Sequence, residues 1–147
     1  MTIGRRYLVA LGLTLLALGF TAGTIWQPAT VQAQSGGKVF ELRTYTTNAG
    51  KLPNLQARFR DHTRRIFEKH GIESIGYWVP QDSPKSSNTL IYIIAHDSRQ
   101  AATDNWAAFR GDPEWTEVAR ASQVDGQILA KPPEFVFMEA TDYSAIK

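Results

Sequence analysis

Between Val39 and Trp78 the hydropathy pattern changes period twice, and that change limits what the chain can fold into. From Lys38 to Thr47 it alternates, Phe40 and Leu42 to one side and Glu41, Arg43 and Tyr45 to the other, as in a half-buried strand. Asn48-Ala49-Gly50 turns the chain. From Lys51 onward the apolar positions are Leu52, Leu55, Phe59, Ile66 and Phe67, the spacing of an amphipathic helix. His62 fills the gap in that stripe, three residues after Phe59 and four before Ile66, so the spacing predicts an imidazole facing the sheet. Gly71 offers a left-handed cap, with His70 near the negative end of the helix dipole. Ile72 to Val79 then alternates again, Ile75, Tyr77 and Val79 against Gly76 and Trp78.

After Pro80 the same plan recurs. Gln81 to Asn88 is a polar loop, and Thr89 to His96 is a strand apolar on both faces. Asp97-Ser98 caps a helix running to Arg110, with Ala102, Trp106 and Phe109 inward, and Gly111 stops it. Asp112-Pro113-Glu114-Trp115 opens a short helix, with Pro113 at its first turn and Glu114 near its positive end. Val124 to Pro133 is irregular, and Glu134 to Ala140 is a fourth strand, again apolar on both sides. The order βαββαβ is the α+β, ferredoxin-like arrangement: a four-stranded antiparallel sheet with helices on one face. The other face also needs a cover, and a second copy of the chain is the simplest one, so a two-fold homodimer is expected.

Residues 1–33 read as an export signal: Arg5-Arg6, an uncharged run from Tyr7 to Trp26, and Val31-Gln32-Ala33 before the cut. The competing reading is an uncleaved anchor over residues 7–26, which would place the protein at the membrane rather than free in the periplasm or outside the cell. Arg5-Arg6-Tyr7-Leu8-Val9 also resembles the twin-arginine core. Residues 34–37 are a flexible lead-in, 38–142 the folded domain and 143–147 a tail. Removing Arg5 and Arg6 from the sixteen Lys and Arg leaves fourteen, against fourteen Asp and Glu. A domain so balanced lacks the basic footprint of a nucleic-acid binder. Without cysteine it has no disulfide, thiolate metal site or thiol nucleophile.

Three stretches carry a family resemblance: Val39-Phe-Glu-Leu-Arg-Thr-Tyr45; Glu68-Lys-His-Gly-Ile72 with Gly76-Tyr77-Trp78; and Phe109-Arg-Gly-Asp-Pro-Glu-Trp115. Together they resemble the NIPSNAP family, of the dimeric α/β-barrel group, over essentially all of Val39 to Ala140. The resemblance implies the fold, the dimer and a pocket between helices and sheet, but no particular chemistry. The wider group contains cofactor-free oxygenases, isomerase-like enzymes and haem-binding proteins, an analogy at the level of fold.

The residues suggest a pocket between the first helix and the sheet that binds a small apolar or aromatic molecule, with Arg43, Tyr45, His62, Trp78, His96 and Trp106 as its lining. Arg43 and Tyr45 can hold a carboxylate or phenolate, or Arg43 can simply pair with Glu41 at the dimer interface. In the enzymatic alternative, an oxygenase or isomerase without cofactor, His62 is the catalytic base. No cofactor is expected, haem on an axial His62 being the exception the residues allow. No metal is expected either, because the histidines do not stand at ligand spacing. The run Arg58 to Arg65, broken by Asp61, reads as a solvated helix face. A glycine-rich phosphate loop and a serine nucleophile elbow are both missing.

Overall fold

The computed structural model describes residues 37–147. Residues 1–36, and with them the expected export signal and most of the lead-in, lie outside the described residues. Among those described, no helix is long and apolar enough to cross a membrane.

Four strands form one antiparallel sheet in the order β2-β3-β1-β4: β1 Val39–Thr46, β2 Glu73–Trp78, β3 Thr89–His96 and β4 Glu134–Glu139. The ferredoxin-like order therefore holds, as an open sheet. The alternation in β1 is obeyed. Glu41, Arg43 and Tyr45 face the helices beside Ile94, Tyr92 and Leu90 of β3, their cross-strand partners.

The first helix is continuous but not uniform. It runs through α1 (Leu52–Arg58), a π-helical turn (Phe59–Thr63) and α2 (Arg64–Lys69). A π-turn advances less per residue than an α-turn, so the buried stripe passes from Phe59 to Thr63 and on to Ile66 and Phe67. His62 is thereby rotated out and is exposed, contrary to the direction its spacing predicts. The chain leaves α2 through Gly71 at φ +69°, the left-handed conformation glycine adopts without strain.

β2 departs from simple alternation. Its register against β3 shifts between Ser74 and Gly76, so Ile75 is an extra residue, a bulge. The bulge parts residues expected on one face: Tyr77 turns to the helices, while Ile75 joins Phe40 and Ile93 on the open face. Trp78 goes to the open face too, its ring folded back over Gly76 where a Cβ would collide with it. Any side chain at position 76 would displace that indole.

Ser98 caps α3 (Arg99–Gly111), its hydroxyl accepting from the Ala101 amide at 3.0 Å. Asp112 caps α4 (Pro113–Ala121), accepting from the Glu114 amide at 2.8 Å. Lys69 Nζ and His70 Nε2 lie 2.7 and 2.6 Å from the same Asp112 carboxylate, which ties the end of α2 to the start of α4. Hydrogen bonds from Lys69 and His70 hold the Asp112 pKa well below the carboxylate range.

Between helices and sheet lies an aromatic core. Phe67 sits at its middle, with ring centroids 4.8 to 6.3 Å from Phe59, Tyr92, Trp106 and Phe109. The space directly under the first helix, where a pocket was expected, is filled by these rings with Leu55 and Ile66. Among the described residues, clefts open at its flanks. The opposite face of the sheet stays apolar and largely uncovered: Trp78 is 51% and Val136 57% exposed. Ser144 and Ile146, from the last residues of the chain, reach the Phe40–Ile93 part of that face.

Candidate functional site

Glu41 is the hub of the helix-facing surface of β1. It is a carboxylate only 1% exposed, which is tolerable only when its oxygens are fully paired. Oε1 accepts from Arg43 Nη1 at 2.6 Å, Oε2 accepts from Trp106 Nε1 at 2.7 Å, and His96 Nε2 stands 3.3 Å from Oε2. Burial pushes the Glu41 pKa up, but the hydrogen bonds from His96 and Trp106 and the charge of Arg43 outweigh it, so Glu41 titrates below its ordinary value. The strand puts Glu41 and Arg43 two residues apart on one face, and α3 lowers Trp106 onto both. The Glu41–Arg43 pair thus forms on the helix side of the sheet.

Arg43 is held flat. Its guanidinium carbon is 4.3 Å from the Trp106 ring centroid, 5.4 Å from Phe135 and 5.7 Å from Tyr45. Beside it a cleft of about 280 Å³ opens between α3 and β4. Its walls are the rings of Trp106, Phe135 and Phe137, with Arg99 and Arg110 descending from α3. The Arg99 guanidinium carbon lies 3.3 Å from the Phe137 centroid. Three guanidinium groups therefore line a cleft whose one carboxylate, Glu41, is already engaged by Arg43, Trp106 and His96. The cleft carries excess positive charge over aromatic walls, an arrangement suited to a planar anion.

Of the six residues singled out in the sequence, Arg43, His96 and Trp106 come together around Glu41, and Tyr45 lies against Arg43. His96 is walled off, with no solvent-exposed side-chain surface, and Asn105 stands 3.4 Å from its second ring nitrogen. It positions Glu41 and does not face a cleft. His62 and Trp78 are elsewhere. His62 is on the rim of a groove between α1 and α4, and Trp78 lines a cleft of about 240 Å³ at the β2 edge with Phe59 and Tyr77. His70 is engaged by Asp112. No histidine among the described residues thus offers an open nitrogen to a buried apolar cavity, which does not suit an axial haem ligand. His62 is exposed and lies away from the space beneath the first helix that its spacing had it facing. Among the described residues no cluster of His, Asp and Glu could hold a metal ion.

Sequence reasoning missed Glu41 as the hub and missed Arg99, Arg110, Phe135 and Phe137 altogether. These lie on three separate elements, and only the strand order, which places β4 beside β1, unites them. Arg58 was also misread: it is buried, because α4 docks against its flank with Trp115 and Ser122.

A family model described as NIPSNAP matches residues 40–144. Among solved structures, a NIPSNAP family protein of unknown function from Agrobacterium tumefaciens is 22% identical, over 77% of this chain and 96% of its own, with a TM-score of 0.65. A NIPSNAP-like domain protein from Burkholderia xenovorans is 17% identical over 73% and 88%, with a TM-score of 0.63. A monooxygenase from Streptomyces coelicolor, solved with nanaomycin D, is 19% identical over 75% and 93%, with a TM-score of 0.53. At these identities the likeness is one of fold. No curated protein matches the chain.

Proposed function

Since this chain belongs to the NIPSNAP family, a fold that positions sites without dictating chemistry, we propose that it is a homodimeric binding protein for a small aromatic molecule with one anionic end. The ligand's ring lies between Trp106, Phe135 and Phe137, and its carboxylate or phenolate meets Arg43 with help from Arg99 and Arg110. The observation that carries this reading is the surplus of guanidinium charge over aromatic walls in a cleft of about 280 Å³. Binding is preferred to catalysis because the histidine nearest the cleft is sealed behind Glu41. The site lies beneath α3, not beneath the first helix.

Titrating the chain with benzoate and hydroxybenzoates while following tryptophan fluorescence tests this. Arg99→Gln and Arg43→Gln should each weaken binding about tenfold, the worth of one charge-assisted contact. Arg99 is exposed and stacks only on Phe137, so its loss leaves the fold intact. Equal affinity in the wild type and both variants, or no binding at all, would sink the reading.

The dimer forms through the open sheet face, where Trp78, Val136, Leu42 and Met138 would otherwise meet water. Sedimentation of the wild type should give a two-chain species and Val136→Asp a one-chain species with unchanged circular dichroism. A wild type that sediments as one chain at micromolar concentration contradicts it. The signal-like residues Arg5-Arg6, Tyr7–Trp26 and Ala33 support export with cleavage after Ala33, which N-terminal sequencing of the mature protein checks.

A further inference from the structure

Arg58 is the least satisfied charged group in the described fold. It is 7% exposed, and no carboxylate lies within ion-pair distance among the described residues. Its one hydrogen bond there runs from Nη1 to Ser122 Oγ at a long 3.3 Å, and Nε has no partner. The Trp115 ring, its centroid 5.3 Å from the guanidinium carbon, is a partial substitute for a counter-ion. Burial pulls the Arg58 pKa down, and only the hydroxyls of Tyr45 and Tyr92 bear on it in the other direction. Neither tyrosine hydrogen-bonds to it, and the Tyr92 hydroxyl is itself buried without a partner. Uncompensated buried charges are rare in folded proteins unless something outside the chain compensates them.

Arg58 is the last residue before the π-turn, and Thr63 Oγ1 donates to its carbonyl at 3.1 Å. Its side chain points at α4, into the groove of about 470 Å³ between α1 and α4. Ala57, Val118 and Val124 give that groove apolar walls. Asp61 and Asp125 stand exposed among its lining residues, and the third acid, Glu117, is held by Arg120 at 2.6 Å.

We propose that the α1–α4 groove is a second binding site, separate from the cleft beneath α3, in which Arg58 takes the carboxylate of a small aliphatic monocarboxylate. The guanidinium fork fits the two carboxylate oxygens, the apolar walls take the chain, and the Asp61 and Asp125 charges reject a second anionic group. This site stands on Arg58 alone and survives the failure of the aromatic cleft.

Calorimetric titration of the purified chain with butyrate and valerate, against succinate and glutarate, tests the proposal. Wild type should bind the monocarboxylates at least tenfold more tightly than the dicarboxylates. Arg58→Met should lose at least tenfold in affinity while melting no lower than the wild type, because methionine removes an unpaired buried charge at similar length. Ala121→Trp, which fills the groove from the end of α4 and leaves Arg58 in place, should lose binding equally. If Arg58→Met does not fold, the tryptophan variant decides. No monocarboxylate binding in the wild type, undiminished binding in either variant, or a preference for dicarboxylates would overturn the proposal.

Discussion

Replacing Glu41 by alanine should destabilise the protein by about 3–5 kcal/mol, the cost of breaking a buried ion pair from one side. The substitution strands the Arg43 guanidinium beneath Trp106 and leaves the Trp106 indole N–H without an acceptor. Glu41→Gln keeps the shape and one of the two acceptor oxygens, so it should cost less. Glu41→Leu combined with Arg43→Met removes both charges and should recover most of the loss. Urea melts of the four proteins check this: similar midpoints for wild type and Glu41→Ala would mean the cluster does not hold the sheet to α3.

The same carboxylate gives the pH dependence. Its pKa in the folded chain is depressed below the unfolded value, so its contribution is fully present above the unfolded carboxylate range, about pH 4.3. It is lost as pH falls through the depressed folded value. Glu41→Gln, which cannot titrate, should therefore close part of its stability gap to the wild type as the pH is lowered through that window. A gap constant from neutral pH down to acid would show that the Glu41 pKa is not depressed in the fold.

Phe67→Ala should cost about as much, roughly 3–5 kcal/mol, by a different route. Phe67 is buried at the centre of the ring cluster and touches both the first helix's neighbours and α3 through Phe59, Tyr92, Trp106 and Phe109. Its loss removes transfer free energy and leaves a cavity that the first helix, β3 and α3 cannot close together. Because Trp106 leans on Phe67, the variant should also loosen the cleft and weaken any aromatic ligand more than Phe109→Leu does. Chemical denaturation gives the first number and fluorescence titration the second. A melting curve within 1 kcal/mol of the wild type, the range of a conservative core change, would contradict the packing described.

Much of this architecture is legible in the chain. The two faces of β1, the caps at Ser98 and Asp112 and the inward stripe Ala102, Trp106 and Phe109 follow from local periodicity and cap chemistry, which act within a few residues. What failed was also local but cryptic. One π-turn moved His62 off the buried stripe, and one bulge at Ile75 sent Trp78 away from the site. Neither irregularity has a reliable sequence mark, since both are fixed by what packs against the element. The site was half visible. Arg43, Tyr45, His96 and Trp106 were identifiable as chemistry-bearing residues. The convergence of Arg43, His96 and Trp106 on Glu41 depends on β3 and α3, and the meeting of Arg99 and Arg110 with Phe135 and Phe137 depends on β4 lying beside β1. Arg58 was misread because helical spacing says which side a residue is on, not whether a second helix will cover that side.

The claim most of this rests on is that a planar anion enters between α3 and β4 and meets Arg43. Titrating isotopically labelled protein with benzoate and following the Arg43 Nε–H and the tryptophan indole N–H resonances measures that directly. The Arg43 and Trp106 signals should shift together and saturate at one concentration, with Trp78 unmoved. Saturating shifts at Trp78 alone, or none at Arg43 and Trp106, would contradict it.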